Sequence, residues 1–206
     1  MEDVRSLKPL QLDALREVAN IGAGHAATAL SQMTNRTIMI SVPEVNVRPL
    51  EEVADLFGSA DAVIAAVLMH MMGDLTGRTL LTFPENGARA LCDILFRREP
   101  GTTVQFDAME QSGLKEVGNI LVSAYMTALS DFMGMMLLPS PPSLAVDMSD
   151  AVLTTTYLQF GTDKDYVFCV ESEFVMDELD ERLRGFFLLL PDPASLQAIL
   201  RAVRVA

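Results

Sequence analysis

Residues 13–20 read DALREVAN, and residues 112–119 read SGLKEVGN. Asp13, Glu17 and Asn20 align with Ser112, Glu116 and Asn119 at an offset of 99 residues. Pro43 and Pro142 keep the same offset. Internal repetition of this kind fixes the architecture. Here it also marks a site, since Glu and Asn three apart on a helix share one surface.

The flanks repeat as well. GRTLLTFPENGARALCDIL and RGFFLLLPDPASLQAILRAV each run from an apolar stretch through a proline into a helical pattern. Pro84 and Pro191 lie 107 apart rather than 99, so the second half gains eight residues. The gain is placed around 143–156 and in the charged stretch DELDERLRG. The chain reads as one domain, 1–206, of two similar halves, about 1–105 and 106–206. Their join, RREPGTTVQFD, is polar and short, so the halves should pack as one unit.

Composition narrows the function classes. A chain of 206 residues, 50% apolar, can bury a full core. Its formal charge of −13 repels phosphate backbones and anionic membranes, which argues against nucleic-acid partners. Cys92 and Cys169 sit in apolar surroundings without metal or disulfide spacing and read as buried hydrophobes of a reducing compartment. The start, MEDVRSLK, lacks the basic and apolar regions of a signal peptide, and AVIAAVLMHMM is too short to span a bilayer. A cytoplasmic protein without membrane insertion is expected.

The first helix should start near Ser6, with Pro9 in its first turn, and end near Met33. At about 100° per residue, Leu15, Val18, Ala19, Gly22, Ala26, Ala29 and Met33 form one stripe. Asp13, Glu17 and Asn20 fall within roughly 60° of each other on the opposite face. The second copy should run from Phe106 or Asp107 to Phe132, with Ser112, Glu116 and Asn119 facing away from its stripe. Strands are expected at Arg36–Val42, Ala62–Met69, Arg78–Phe83, Leu153–Phe160, Tyr166–Glu173 and Gly185–Leu190. Shorter helices are expected at Asn86–Phe96 and Ala194–Val203, and a hairpin turn at Gly73-Asp74. The expected fold is layered α/β: about six strands in one sheet, two long helices and internal pseudo-two-fold symmetry.

No complete active site can be assembled from these parts. No nucleophile stands beside a histidine base, neither His25 nor His70 has ligand spacing, and IGAGHA lies within a helix rather than after a strand. Half a site is available. If a partner supplies the phosphoryl group, Mg²⁺ and a charge clamp, an Asn amide need only position a water, and a Glu can pair with a cation of the partner. Phosphoryl transfer depends mainly on positioning and electrostatics, so one inserted amide can suffice.

The pattern D/S-x₃-E-x₂-N-x₂₂-P, present twice, resembles the motif of the CheC-type phosphatases of bacterial chemotaxis. The resemblance implies an α/β fold with internal symmetry and hydrolysis of the aspartyl phosphate of the response regulator CheY. It implies that Glu17 and Glu116 pair with the regulator's lysine, and that Asn20 and Asn119 orient the attacking water. It also implies the chemoreceptor deamidase CheD as a partner. No cofactor of the chain's own is expected; Mg²⁺ would be carried by the regulator.

Other readings stand beside these. Asp13 and Ser112 also suit local hydrogen bonding, and Pro43 and Pro142 suit loops after strands. Gly22, Gly24 and Gly118 read as close-packing positions, the thirteen methionines as core gap-fillers, and His25 as a buried or edge histidine. A flagellar-switch adaptor that binds the regulator without hydrolysis, or a controller of the deamidase, remains the alternative function. The former would leave the phosphoryl lifetime unchanged.

Overall fold

Along the strand Val63–Gly73, Ile64, Ala66 and Leu68 pack into one apolar cluster, while Ala65, Val67, Met69 and Met71 pack into another. Both faces of the strand are therefore covered, which explains its continuous apolar run. The computed structural model describes residues 8–49, 52–59, 61–158, 166–176 and 181–205. In chain order the elements are α1 (Pro9–Thr34), β1 (Ile38–Pro49), a 3₁₀ turn (Ala54–Phe57), β2 (Val63–Gly73), β3 (Gly77–Pro84) and α2 (Glu85–Leu95). The second half follows with α3 (Ala108–Met133), β4 (Leu137–Pro139), β5 (Ser143–Met148), α4 (Ser149–Leu158), β6 (Tyr166–Met176), β7 (Glu181–Pro191) and α5 (Pro193–Val205).

One antiparallel sheet holds all seven strands in the order β1-β6-β7-β3-β2-β4, with β5 also paired to β2. Since β4 and β5 both lie along β2, the sheet has six rows, close to the expected number. The halves are interleaved: β1 pairs with β6 of the second half, and β4 and β5 pair with β2 of the first. The pseudo-two-fold relation therefore passes between β3 and β7, which also pair.

On one face, α1 and α3 pack on each other and the sheet, flanked by α2 and α5. The contact is close because the facing residues are small. A Cβ on Gly22 would lie 2.7 Å from Cδ1 of Tyr125, and one on Gly118 would lie 2.5 Å from the Val67 side chain. Gly24 differs from expectation: it is exposed, with nothing near its missing Cβ. The opposite sheet face is covered by α4 and the 3₁₀ turn, through Val152, Leu153 and Val53.

Several expectations are corrected. Ser6 lies outside the described residues, and α1 is described from Pro9, where Lys8 N donates to Gln11 Oε1 at 2.8 Å. Ala23, Leu30 and Thr34 are buried, whereas Met33 is 40% exposed, because the stripe of a 3.6-residue helix drifts over seven turns. Leu153–Phe160 is not a strand: it falls in α4 as far as Leu158, and residues 159–160 lie outside the described residues. The longer second half follows from this, since α4 stands where the first half has a four-residue turn. Residues 177–180 of DELDERLRG are also outside the described residues. His25 is exposed, and Met33, Met39, Met72, Met109, Met136 and Met148 are exposed rather than core.

Three buried acids tie their protons to the folded state. Tyr125 stacks on Phe187 at 4.8 Å and bonds Ser172 at 2.7 Å. Burial pushes its hydroxyl up to about 12, with the Ser172 bond opposing. Burial likewise pushes both Cys92 and Cys169 up to about 12. The unfolded chain releases these protons from near the ordinary values of 9.0 and 10.0, whereas the folded chain retains them. Their contribution is therefore intact below about pH 9 and is lost as pH rises towards 12. A urea-unfolding series should give a falling midpoint across that alkaline window. A level midpoint would contradict the burial of these groups.

Candidate functional site

The polar faces of α1 and α3 rest on packed backs. Val18 and Ala19 are buried behind Glu17 and Asn20, and Val117 and Gly118 behind Glu116 and Asn119. The residue before each Asn is thus small and seated in the core, which fixes the backbone that carries the amide. Asp13, Glu17, Asn20, Ser112 and Glu116 are exposed, and Asn119 is half-buried. Among the described residues, none of these six side chains makes a hydrogen bond or ion pair. Glu85, Glu110, Glu171 and Glu173, by contrast, each pair with an arginine. Glu17 and Glu116 are left available to an outside cation.

The prolines sit where the sheet's edge rows are interrupted. Pro43 is not in a loop after β1 but inside it, where the register against β6 shifts between Ser41 and Glu44. Pro142 lies between β4 and β5, in the break that divides the matching row. Proline has no N–H for the ladder, so edge rows and bulges are where a sheet accommodates it. Opposite the second break, Ser140 N donates to His70 O and His70 N donates to Ser140 Oγ, both at 2.9 Å.

The repeat holds a further matched pair that the acid–amide pattern does not single out, Arg16 and Lys115. Arg16 Nε donates to Val42 O at 3.2 Å, tying α1 to the strand beside Pro43. The bond anchors the helix one residue before Glu17. The signal for it in the sequence is a basic residue directly before each Glu.

The face presents exposed carboxylates and exposed or half-buried amides. Both cysteines are buried thiols, and burial opposes forming the thiolate. His25 and His70 are exposed on different elements. Among the described residues, no group of three His, Cys, Asp or Glu side chains could hold a metal ion. None of their helices is long and apolar enough to cross a membrane.

The fold is shared with a solved structure. The solved structure of FliY from Thermotoga maritima superposes with a TM-score of 0.80 at 21% identity, covering 97% of this chain and 98% of that one. The "CheY-P phosphatase CheC" of Bacillus subtilis (strain 168) is 33% identical over 210 residues, 98% of each chain. The "Flagellar motor switch phosphatase FliY" of the same organism is 26% identical over 141 residues, 68% of this chain and 36% of that protein. The profile described as the CheC-like family matches residues 10–47 and 109–146. The chain belongs to the CheC-like family. The two matched segments, again offset by 99, contain both Glu–Asn pairs and both prolines.

Proposed function

We propose that this chain is a phosphatase that hydrolyses the aspartyl phosphate of the chemotaxis response regulator CheY. The observation that carries the reading is the duplicated Glu–Asn pair, set on two helix faces and engaged with nothing else among the described residues. The 33% identical relative is named for that activity. Asn20 and Asn119 each offer an amide whose oxygen and NH₂ group can hold the attacking water in line. Glu17 and Glu116 each pair with the regulator lysine that would otherwise hold the phosphoryl group, fixing the register of the complex. Asp13 and Ser112, one helical turn before each Glu, extend the contact face, and Pro43 and Pro142 shape the strand rows beside it.

The acid site, Mg²⁺ and phosphoryl group belong to the regulator in this reading, so the chain needs no metal of its own. It works in the cytoplasm, as a single domain of two halves, with the deamidase CheD as a further partner. The test is the decay of phosphorylated regulator with and without the protein. Faster decay in catalytic proportion supports the assignment. Unchanged decay with retained binding supports the second reading, an adaptor that binds the regulator without hydrolysis.

A further inference from the structure

Four of the chain's fifteen basic residues line one cleft of about 380 Å³. Arg36 follows α1, Arg89 lies on α2, and Arg97 and Arg98 open the joint between the halves. In a chain of formal charge −13 this gathering is not a sampling of the average surface. Concave sites of this size typically take small molecules rather than protein faces.

Three of the four carboxylates nearby, Asp93, Glu110 and Glu85, are already engaged. Asp93 is buried, with Oδ1 accepting from Thr103 N and Oγ1, and Oδ2 accepting from Gly101 N. Glu110 pairs with Arg98 at 2.5 Å and is 2% exposed, whereas Arg98 is 30% exposed. The cation thus stands nearer the solvent than its partner. Glu85 pairs with one arm of Arg89, and Glu99 is an exposed acid on the rim. A guanidinium carries five donors in a planar fork, so one ion pair leaves others for an oxyanion.

The backbone supplies an independent observation. α2 ends in a Schellman motif, with Arg97 N donating to Ile94 O at 3.1 Å and Arg98 N to Asp93 O at 2.8 Å. The left-handed position of that motif holds Arg97, at φ +54°. The ends of α1 and α3 place Asn35 and Gly134 in the same conformation, the residues it favours. A long side chain stands where glycine is the easier residue. Its Nη2 reaches Thr34 O at 3.4 Å, across the cleft at the end of α1. Backbone outliers of this kind cluster at ligand-binding positions.

We infer that this cleft binds a small phosphate-bearing anion of two or more charges, held by Arg36, Arg89, Arg97 and Arg98. The apolar wall of Ala90, Ile94 and Val104 can take the organic part of such a ligand. The inference does not rest on the Glu–Asn faces, which contribute none of these residues.

The test is calorimetric titration of the full chain with pyrophosphate, at ionic strength held near 0.15 M with sodium chloride. Saturable one-to-one binding is expected, weakened at least about tenfold by Arg97→Gly and by Arg36→Ala. It should be unchanged by Arg182→Ala, an arginine exposed on β7. Arg97→Gly relieves the left-handed position, so its unfolding midpoint should equal or exceed the wild type, which separates lost binding from lost fold. Tighter binding of ADP than of pyrophosphate would identify a nucleotide as the source, and equal binding an inorganic phosphate. No saturable heat, equal affinity in Arg97→Gly, or binding of an oligoglutamate peptide in place of pyrophosphate would overturn the assignment.

Discussion

Replacing Asn20 and Asn119 together by alanine is expected to lower dephosphorylation of the regulator by about 10²-fold or more, the usual cost of a group that acts only in the transition state. Each single change removes only the share its own face carries. If the faces are equal and independent, Asn20→Ala and Asn119→Ala each leave about half the activity, so the double variant is the decisive one. The amides are exposed or half-buried and make no described hydrogen bond. Their loss leaves no orphaned buried partner, and surface changes of this kind usually stay within about 0.5 kcal/mol. Turnover should fall while the unfolding midpoint holds. The same pair of measurements weighs the adaptor reading, because a protein that only binds would show no turnover to lose. A double variant with wild-type decay kinetics would remove both amides from the mechanism.

How much of this was legible in the sequence depended on how local the signal was. The two long helices were readable because Leu15, Val18, Ala19 and Gly22, and Leu114, Val117, Gly118 and Leu121, recur at helical spacing. The central strands were readable because they are buried on both faces. α4 was misread because Thr154, Thr155 and Thr156 are β-branched and favour strands. Tertiary context overrides that preference. Val152, Leu153 and Thr156 share the buried side of a helix, Thr156 returns its hydroxyl to Val152 O at 2.9 Å, and Ser149 N is held by Ala62 O at 2.8 Å. β4 and β5 left almost no pattern, being short, largely exposed and interrupted by prolines. The interleaving of edge rows between halves is a long-range pairing, and no local window contains it. At the candidate face the repeat located the Glu–Asn pairs, but only coordinates tie Arg16 to Val42 or place Pro43 in a bulge. Arg97 is a plain surface residue until its φ is known.

Replacing Glu17 and Glu116 together by glutamine should weaken productive binding of the phosphorylated regulator by about 30-fold to several thousand-fold, since removing one partner of a charge pair buried and hydrogen-bonded in an interface costs about 2–5 kcal/mol. The change preserves size and hydrogen-bonding reach and removes only charge. Glu→Asp should also fail, because the shortened side chain keeps the charge but cannot reach a lysine that engages the longer one. Two observations protect the test from a structural explanation. Both glutamates are exposed and make no described ion pair, so neither neutralises a neighbour in the free chain. The residues that do hold the helices, Val18 and Val117 beside them, are untouched and buried. The unfolding midpoint should therefore stay level while binding falls. Long-range attraction cannot compensate, because a chain of formal charge −13 meets the acidic phosphorylation pocket of the regulator against the field, leaving the local pair to set the register. Raising salt should accordingly relieve the general repulsion while weakening the specific pair, so the glutamine variant should respond to salt more favourably than the wild type. If the double glutamine variant turns over the regulator normally, the ion pair is absent from the mechanism. If it instead unfolds early, the glutamates hold the fold and the face loses its claim to be a site.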